Sequence, residues 1–299
     1  MPELPEVESL RLGLERKIIG SKIIDCEILK PKIISGNSTK RKASQKISNS
    51  FLENIRNRKI KSIKRIAKNL ILELDNSSVL IVHLKMTGQL VFVGNKKEKV
   101  LGGHPITESY INSLPNKHTC LIFNLDNGNL FYNDVRMFGY VLYYKNIDEA
   151  VMSGHFKKIG LEPFDKNFTL DYFKKELKNK NRNLKSVLLD QSIVNGCGNI
   201  YTDEICFASK VLPMRNCKSI TEKEAELLHK NIKRILALAI EHGGSSISDY
   251  LLADGSRGNY ARLHKVYGKA GEKCLVCKTI LKKEIISGRS TVFCPNCQK

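Results

Sequence analysis

The sequence lacks several features that mark large classes of proteins. No apolar stretch approaches the length needed to cross a membrane. The first residues carry neither the charged region nor the apolar core of a signal peptide, so we expect a cytoplasmic protein. We find no P-loop, no Gly-x-Ser-x-Gly elbow and no His-Glu-x-x-His helix. The common phosphate-binding, hydrolase and metalloprotease sites are therefore not predicted.

Acidic residues are scarce relative to basic ones. The 299 residues include 30 Asp and Glu against 50 Lys and Arg, a formal net charge of +20. Such a charge favours a polyanionic partner, and nucleic acid is the first candidate. An acidic membrane surface is the second, but no clear basic amphipathic helix with large apolar residues supports it. We therefore expect a nucleic-acid-binding protein that does not bind membranes.

The nine cysteines fall into two groups. Five are scattered singly in apolar contexts, which is typical of small buried side chains. The other four form two Cys-x-x-Cys pairs separated by sixteen residues, and the intervening segment alternates and turns at Ser287-Gly288. In a chain with no secretion signal, this pattern predicts one structural Zn²⁺ ion on a β-hairpin, not disulfides. The predicted ligands are Cys274, Cys277, Cys294 and Cys297.

Hydrophobic periodicity divides the chain into a β-rich part and a helical part. After one helix at the start, residues 15–147 predict an all-β sandwich or barrel, with a hairpin turn at 126–128. Within it, the basic segment 40–68 is expected to be a strand-and-loop face, either simply solvated or tracking phosphates, and 94–116 a loop. A turn-forming segment at 160–163 is a candidate linker. Helical spacing begins at Phe168, with one helix over about Leu184–Gln191. The clearest helix spans Thr221–Glu241, where Thr221 and Glu224 predict a capping box.

The first residues contain a candidate nucleophile. Once Met1 is removed, the nitrogen of Pro2 is a secondary amine, which can attack an electrophilic carbon and proceed to an iminium. A terminal amine also titrates well below a lysine, so more of it is unprotonated. Glu3 is adjacent, and Glu6 lies one helical turn further on. The same residues also fit an ordinary helix N-terminus, which this segment alone favours over chemistry.

Three further segments have two interpretations each. Residues 195–199 form a glycine turn between predicted helices, which suits either a phosphate clamp using Asn199 or a simple connection. Residues 83–88 and 134–139 follow predicted strands. There, the residues alone favour Met86 and Phe138 as core side chains. The other interpretation makes them wedges that fill a gap in a base stack, with Arg136 as a candidate partner for an orphaned base.

Together and in this order, these segments resemble the formamidopyrimidine-DNA glycosylase family of DNA repair enzymes. The resemblance implies an α+β multidomain protein, with an N-terminal β-sandwich and its helix over 1–150 and a linker over 151–167. A helical helix–two-turn–helix domain over 168–262 and a zinc finger over 263–299 follow. It implies a monomer that binds double-stranded DNA with oxidised bases or abasic sites. The resemblance extends over essentially the whole chain and is carried by residues 2–8, 65–68, 83–88, 134–139, 188–191, 196–204 and 288–291.

The resemblance also implies a role for individual residues. Pro2 would be the nucleophile, Glu3 the acid, and Glu6 part of their support. Lys68 matches the lysine assigned to β-elimination, and Arg289 the arginine assigned to δ-elimination or phosphate contact. The implied wedge consists of Met86, Arg136 and Phe138. The implied contacts with the DNA backbone are His118, Lys180, Lys185 and Asn199.

The sequence departs from the family pattern at three positions. Val135 and Met137 stand where the family usually has Pro and Arg, and Cys197 where it usually has an aliphatic residue. These departures concern duplex contacts more than catalysis. Two alternatives remain: an endonuclease VIII-like enzyme for oxidised pyrimidines, and a non-catalytic zinc-finger DNA-binding protein. Leu4 favours the purine branch, because the pyrimidine branch usually carries Gly there. The suspected reader of the damaged base is the loop 245–260.

Overall fold

The chain folds into two compact units. The computed structural model describes residues 1–35, 43–103, 113–245 and 259–299. The first unit contains the described residues of Met1–Phe156 and Gly243–Asn259, and the second those of Lys157–His242 and Tyr260–Lys299. The domain boundaries predicted from the sequence follow chain order, whereas the chain returns to the first unit at Gly243.

The first unit begins with helix α1, Leu4–Ile18, as the sequence predicts. Val7, Leu10 and Leu14 recur on one face of α1 and are essentially inaccessible to solvent. Burying each such side chain contributes about 1.5–3 kcal/mol. Three shorter helices of this unit are a 3-10 helix at Pro31–Ile34, α2 at Gln45–Ile55 and α3 at Ile147–Met152.

Two antiparallel sheets form the body of the first unit. Buried residues of both sheets and of α1 make one continuous core, which confirms the predicted sandwich. The larger sheet has the order β1-β7-β8-β5-β6, with β1 Ile23–Ile28, β7 Thr119–Leu125, β8 Gly128–Asp134, β5 Gly88–Gly94 and β6 Lys99–Gly103. The smaller has the order β2-β3-β4-β9, with β2 Ile60–Ile66, β3 Asn69–Leu74, β4 Val79–His83 and β9 Tyr140–Tyr144.

Two segments of the first unit differ from the prediction. The basic segment contains helix α2, whose N-cap Ser44 accepts the Ile47 N–H and whose Phe51 and Ile55 pack into the core. The predicted loop 94–116 contains strand β6, which pairs with β5 and buries Val100. In both cases burial of a few apolar side chains outweighs the local excess of lysine and glycine. Lys40, Arg41 and Lys42 lie outside the described residues.

The second unit is helical and ends in a β-hairpin. Helix α5, Leu184–Leu188, ends before the predicted Gln191, where the Asp190 carboxylate accepts the Ser192 N–H at 3.0 Å in a turn. Helix α7, Glu222–Glu241, carries the predicted capping box of Thr221 and Glu224. No helix in the described ranges could span a membrane. The elements are α4 Leu170–Lys178, α5 Leu184–Leu188, α6 Asn199–Ala208, α7 Glu222–Glu241, 3-10 helices at Cys217–Ser219 and Tyr260–Leu263, β10 Lys282–Ile286 and β11 Arg289–Phe293.

Candidate functional site

The start of α1 brings Pro2, Glu3 and Glu6 together. Pro2 is buried, whereas Met1 before it is 49% exposed. The Glu6 carboxylate accepts the Glu3 N–H at 2.8 Å, as in a capping box, and the Ser245 N–H at 2.7 Å. Glu3 and Glu6 are both buried at the positive end of the helix dipole, which favours negative charge. The segment that leads into α1 therefore places the buried Pro2 next to two buried carboxyl groups.

Lys68 lies in the two-residue turn between β2 and β3 and is buried. Ala67, the first residue of this turn, has a φ of 58°, a left-handed conformation that favours glycine. Arg65 donates one hydrogen bond to the Ala67 carbonyl at 3.0 Å and another to the Glu8 carboxylate at 2.7 Å. Because Glu8 belongs to α1, the turn that carries Lys68 is connected to the helix that carries Glu3.

Electrostatics around Glu8 favour its charged form. Burial opposes ionisation, but hydrogen bonds and ion pairs from Arg11 and Arg65 outweigh it and hold the pKa of the Glu8 carboxyl below its usual range. Arg11 donates to Glu8 at 2.9 Å, to Glu15 at 2.9 Å and to the Ile63 carbonyl at 3.3 Å. Glu8 is thus a fixed anion shared by two arginines.

The side chain of Asp134 organises the two segments that hold the predicted wedge. It accepts hydrogen bonds from the Thr87 hydroxyl, the Arg136 N–H at 3.1 Å and the Gly139 N–H at 2.8 Å. At Gly139 no other residue fits, because a Cβ atom would lie 1.8 Å from the Tyr132 hydroxyl oxygen. One buried carboxylate therefore fixes the segments 83–88 and 134–139 to each other.

The predicted wedge residues lie on the surface of these segments. Met86 is 39% exposed and Phe138 is 48% exposed, so neither is the core residue of the alternative interpretation. The guanidinium of Arg136 lies 4.5 Å from the centroid of the Phe138 ring. His118 is adjacent, since its carbonyl accepts the Asp134 N–H at 3.0 Å. The structure thus gathers all four predicted residues around Asp134.

His83 is a partly buried neutral base next to this region. Burial first, and then the charges of Lys85 and Lys68, lower the pKa of His83 well below its usual value. Its Nδ1 accepts the Lys85 N–H at 3.0 Å, so the other ring nitrogen carries the proton. The imidazole is therefore uncharged at pH 7.

Lys185 is not at the surface, contrary to the expectation of a direct contact with the DNA backbone. Its ammonium is completely buried, and it donates to Asp203 at 2.6 Å, to the Thr291 hydroxyl at 2.7 Å and to the Ser290 carbonyl at 3.3 Å. These three oxygens match the three donors of an ammonium group. Burial raises the pKa of Asp203 to about 6, against the opposing effect of Lys185. Lys185 therefore joins α5, α6 and β11 and presents no donor to a phosphate.

The other predicted residues of the second unit lie at or near its surface. Asn199, the first residue of α6, donates its side-chain amide to the Ser290 carbonyl at 2.9 Å. Arg289 is exposed at the start of β11. Lys180 is partly exposed and its ammonium lies 3.8 Å from Glu176. The structure brings Asn199 close to the hairpin that carries Arg289 but does not group Lys180 with them.

The four predicted metal ligands form one cluster. The sulfur atoms of Cys274, Cys277, Cys294 and Cys297 all lie within 4.8 Å of one another. The Cys274–Cys297 and Cys277–Cys294 sulfur distances are 3.9 and 3.4 Å. Four sulfurs around a tetrahedral Zn²⁺ ion lie about 3.8 Å apart, given Zn–S bonds of about 2.3 Å. The donor set and its spacing fit a closed, structural zinc site.

Sequence reasoning missed the residues that support the site. Arg65, Asp134 and Asp203 lie inside or beside recognised segments, yet their partners are distant in the sequence. Glu204 accepts three successive backbone N–H groups, of Lys265, Val266 and Tyr267, and so fixes the segment before the zinc finger. Asp134 alone had a local signal, because aspartate often caps the backbone two residues on. Most of the suspected base-reading loop, 246–258, lies outside the described residues.

Comparisons with family models cover most of the chain. The model of the formamidopyrimidine-DNA glycosylase N-terminal domain matches residues 1–141. The model of the formamidopyrimidine-DNA glycosylase H2TH domain matches residues 159–250. A zinc finger found in FPG and IleRS matches residues 271–299, which contain the four-cysteine cluster.

Individual relatives match over their full length. Formamidopyrimidine-DNA glycosylase of Carboxydothermus hydrogenoformans is 40% identical and covered completely, as is this chain. That of Pelotomaculum thermopropionicum is 36% identical, with 100% of this chain and 99% of the relative covered. A Lactococcus lactis FPG variant in complex with Fapy-dG-containing DNA matches with a TM-score of 0.85, 34% identity and complete coverage of both chains. Lactococcus lactis Fpg in complex with abasic-site DNA matches equally well over 99% of each chain. The chain therefore belongs to the formamidopyrimidine-DNA glycosylase family.

Proposed function

We propose that this protein is a bifunctional DNA glycosylase and abasic-site lyase that excises oxidised purines, including formamidopyrimidines and 8-oxoguanine, from double-stranded DNA. The observation that carries the proposal is the buried Pro2 at the start of α1, beside the buried carboxyl group of Glu3. The relatives are named formamidopyrimidine-DNA glycosylases, and similar structures hold Fapy-dG or abasic-site DNA. Since the relatives are bacterial, we place the activity in the cytoplasm, on nucleoid DNA.

The first chemical step joins the protein to the sugar. After removal of Met1, the lone pair of the Pro2 nitrogen attacks C1′ of the deoxyribose. The bond from C1′ to the base breaks, and the base leaves with the electron pair and takes up the proton that the Pro2 nitrogen loses. Glu3 supplies the proton that lets the sugar ring open, so that an iminium links Pro2 to C1′. Glu6 holds the Glu3 backbone through the bond to its N–H.

The iminium then permits cleavage of the strand. Loss of a proton from C2′ expels the 3′ phosphate, and a second elimination expels the 5′ phosphate. We assign Lys68 to the first elimination and Arg289 to the second or to contact with the departing phosphate. Met86, Arg136 and Phe138 would fill the gap that the extruded nucleotide leaves. Zinc would support the hairpin that presents Arg289, without taking part in the chemistry.

Borohydride trapping on an abasic-site duplex tests the covalent step. Borohydride reduces an iminium to a stable amine, so the wild-type protein should form an adduct that peptide mapping places on Pro2. The matched control is the same protein with a short N-terminal extension, which leaves every side chain intact but makes the Pro2 nitrogen an amide. We expect no adduct from the extended protein and a retained adduct from Lys68→Ala. Absence of an adduct from folded, zinc-loaded wild type would identify a non-catalytic DNA-binding protein.

The substrate class is tested by comparing two lesions. We expect the protein to release 8-oxoguanine placed opposite cytosine faster than thymine glycol in the same duplex context. Single-turnover rates at one salt concentration make the comparison fair, because salt changes affinity for any duplex. Faster release of thymine glycol would assign the protein to the endonuclease VIII-like alternative.

A further inference from the structure

Arg65 links two elements that carry residues of the proposed reaction. Its side chain is 9% exposed, and its Nε donates to Glu8 on α1 while its Nη1 donates to the Ala67 carbonyl. Glu8 lies one and a half turns along the helix that begins beside Pro2 and Glu3. Ala67 directly precedes Lys68. The guanidinium of Arg65 therefore connects helix α1 to the backbone of the turn that carries Lys68.

The turn needs a support of this kind. Ala67 adopts a φ of 58°, although it has a side chain and glycine is usual at such a position. Its carbonyl is held by Arg65, so the hydrogen bond helps to select this conformation. A different backbone angle at Ala67 would move the Cα atom of Lys68. Because Lys68 is only 5% exposed, the surrounding residues leave its side chain little freedom to compensate for a shift of its Cα atom.

We propose that Arg65 is a positioning residue that fixes the position of Lys68 relative to the Pro2 nitrogen. The inference rests on the function proposed above and identifies a residue that acts only through Lys68. Arginine suits this role because its donors have a fixed fork geometry and can serve two acceptors at once. A lysine at position 65 can donate to Glu8 or to the Ala67 carbonyl, but its flexible ammonium does not hold both acceptors in the fixed planar geometry of a guanidinium.

The chain offers a matched control in Arg11. Arg11 donates to the same Glu8 carboxylate at 2.9 Å and to a β2 carbonyl, that of Ile63, at 3.3 Å. Among the described residues, Arg11 makes no hydrogen bond to the Ala67–Lys68 turn. Arg65→Lys and Arg11→Lys therefore remove the same chemistry from the same carboxylate, and only the first disturbs the proposed link to Lys68.

The test separates adduct formation from strand cleavage. Each variant, with Met1 removed, is mixed in excess with an abasic-site duplex. One portion is trapped with borohydride and another is left to cleave. We expect Arg65→Lys to form the adduct within about twofold of the wild-type rate and to cleave about tenfold more slowly. The expected loss is smaller than the roughly 100-fold that a 1 Å misplacement can cost, because lysine keeps one of the two hydrogen bonds. Arg11→Lys should change neither rate beyond twofold. A loss of stability alone would lower both rates together.

A second variant keeps the test decisive. In Arg65→Lys combined with Ala67→Gly, glycine accepts the positive φ without support, so cleavage should recover at least in part. An unchanged ratio of cleavage to adduct in Arg65→Lys, or an equal loss in Arg11→Lys, overturns the role of Arg65. A wild-type protein that forms no adduct instead overturns the proposed function, and the role of Arg65 falls with it.

Discussion

The two compact units fix their candidate DNA-contacting segments by different means. In the first unit, carboxylates bind nearby N–H and guanidinium groups: Asp134 fixes the wedge segments, and Glu8 holds Arg65. In the second, a metal site and a completely buried ion pair, Lys185 with Asp203, fix the hairpin that presents Arg289.

The difference is visible in the two carboxyl groups that face the basic residues. The pKa of Glu8 is lowered, because two arginines outweigh its partial burial. The pKa of Asp203 is raised to about 6, because burial outweighs Lys185. Ionisation of Glu8 thus stabilises the fold, whereas ionisation of Asp203 costs free energy that the ion pair only partly returns. A buried pair of this kind gives a defined geometry more than it gives net stability.

Zinc removal should have the largest effect and break the second unit alone. Binding of structural zinc contributes about 10 kcal/mol or more to the folding of small zinc fingers at pH 7. We expect chelation to lower the affinity for an abasic-site duplex at fixed salt by about 100-fold, since several phosphate contacts would be lost. Hydrogen exchange should accelerate in residues 271–299 and stay unchanged in β3 and β4. Affinity that survives chelation at matched salt would contradict this prediction, and zinc added back is the control.

Lys185→Met should follow in size. It leaves the Asp203 carboxyl buried without its cation, and breaking a buried ion pair from one side costs about 3–5 kcal/mol. Hydrogen exchange of α6 and β11 under increasing urea measures the free energy of local unfolding. The control is Lys180→Met. The Lys180 side chain is 37% exposed and its ammonium lies 3.8 Å from Glu176, so its loss should cost less than about 1 kcal/mol. Equal losses in the two variants would show that the buried pair has no special role.

Asp134→Asn should have a moderate effect on the first unit. The substitution replaces one acceptor oxygen by an NH₂ group, which then faces the Gly139 N–H or the Thr87 hydroxyl and Arg136 N–H. We expect a loss of about 2 kcal/mol in the free energy of unfolding, in the range of hydrogen bonds to charged groups. Asp126→Asn is the control, because the Asp126 carboxylate accepts the Lys22 N–H at 3.1 Å at the exposed surface. This substitution should change stability by less than about 0.5 kcal/mol. Denaturant titration of both variants measures the difference.

The pH dependence of Glu8 should give the smallest effect. Since its pKa is lowered in the folded state, its contribution is fully present above the unfolded pKa of about 4.3 and disappears as the pH falls through the folded value. We expect wild type to exceed Glu8→Gln by about 1 kcal/mol at pH 7, a modest value because the group is only partly buried. The difference should vanish towards pH 2. A constant difference across this range would mean that Glu8 acts by packing and not by charge.

Local patterns predicted the elements that local forces decide. The capping box of α7, the hairpin around residues 126–128 and the paired cysteines all depend on residues a few positions apart, and the structure confirms each. The resemblance of the ordered motifs to formamidopyrimidine-DNA glycosylase is confirmed by full-length relatives. The catalytic roles of Pro2, Glu3 and Lys68 remain predictions.

What the sequence could not predict depends on distant partners. Lys185 has the charge and the neighbourhood of a phosphate contact, but its partners lie 18 and 106 positions away. Strand β6 looked like a loop because its lysines and glycines dominate a short segment, yet pairing with β5 decides its conformation. Helix α2 was hidden in the same way by the basic residues around it.

The hydrogen bond from the Ser245 N–H to Glu6 has a consequence for dissecting the protein. It joins residues separated by 239 positions within the first unit, so the beginning of the chain is completed by a segment that is synthesised after the helices of the second unit. A fragment ending at residue 156 lacks this donor to the Glu6 carboxylate. The isolated N-terminal fragment therefore lacks part of the first unit. During synthesis, the Glu6 carboxylate can accept this hydrogen bond only after residue 245 has been added.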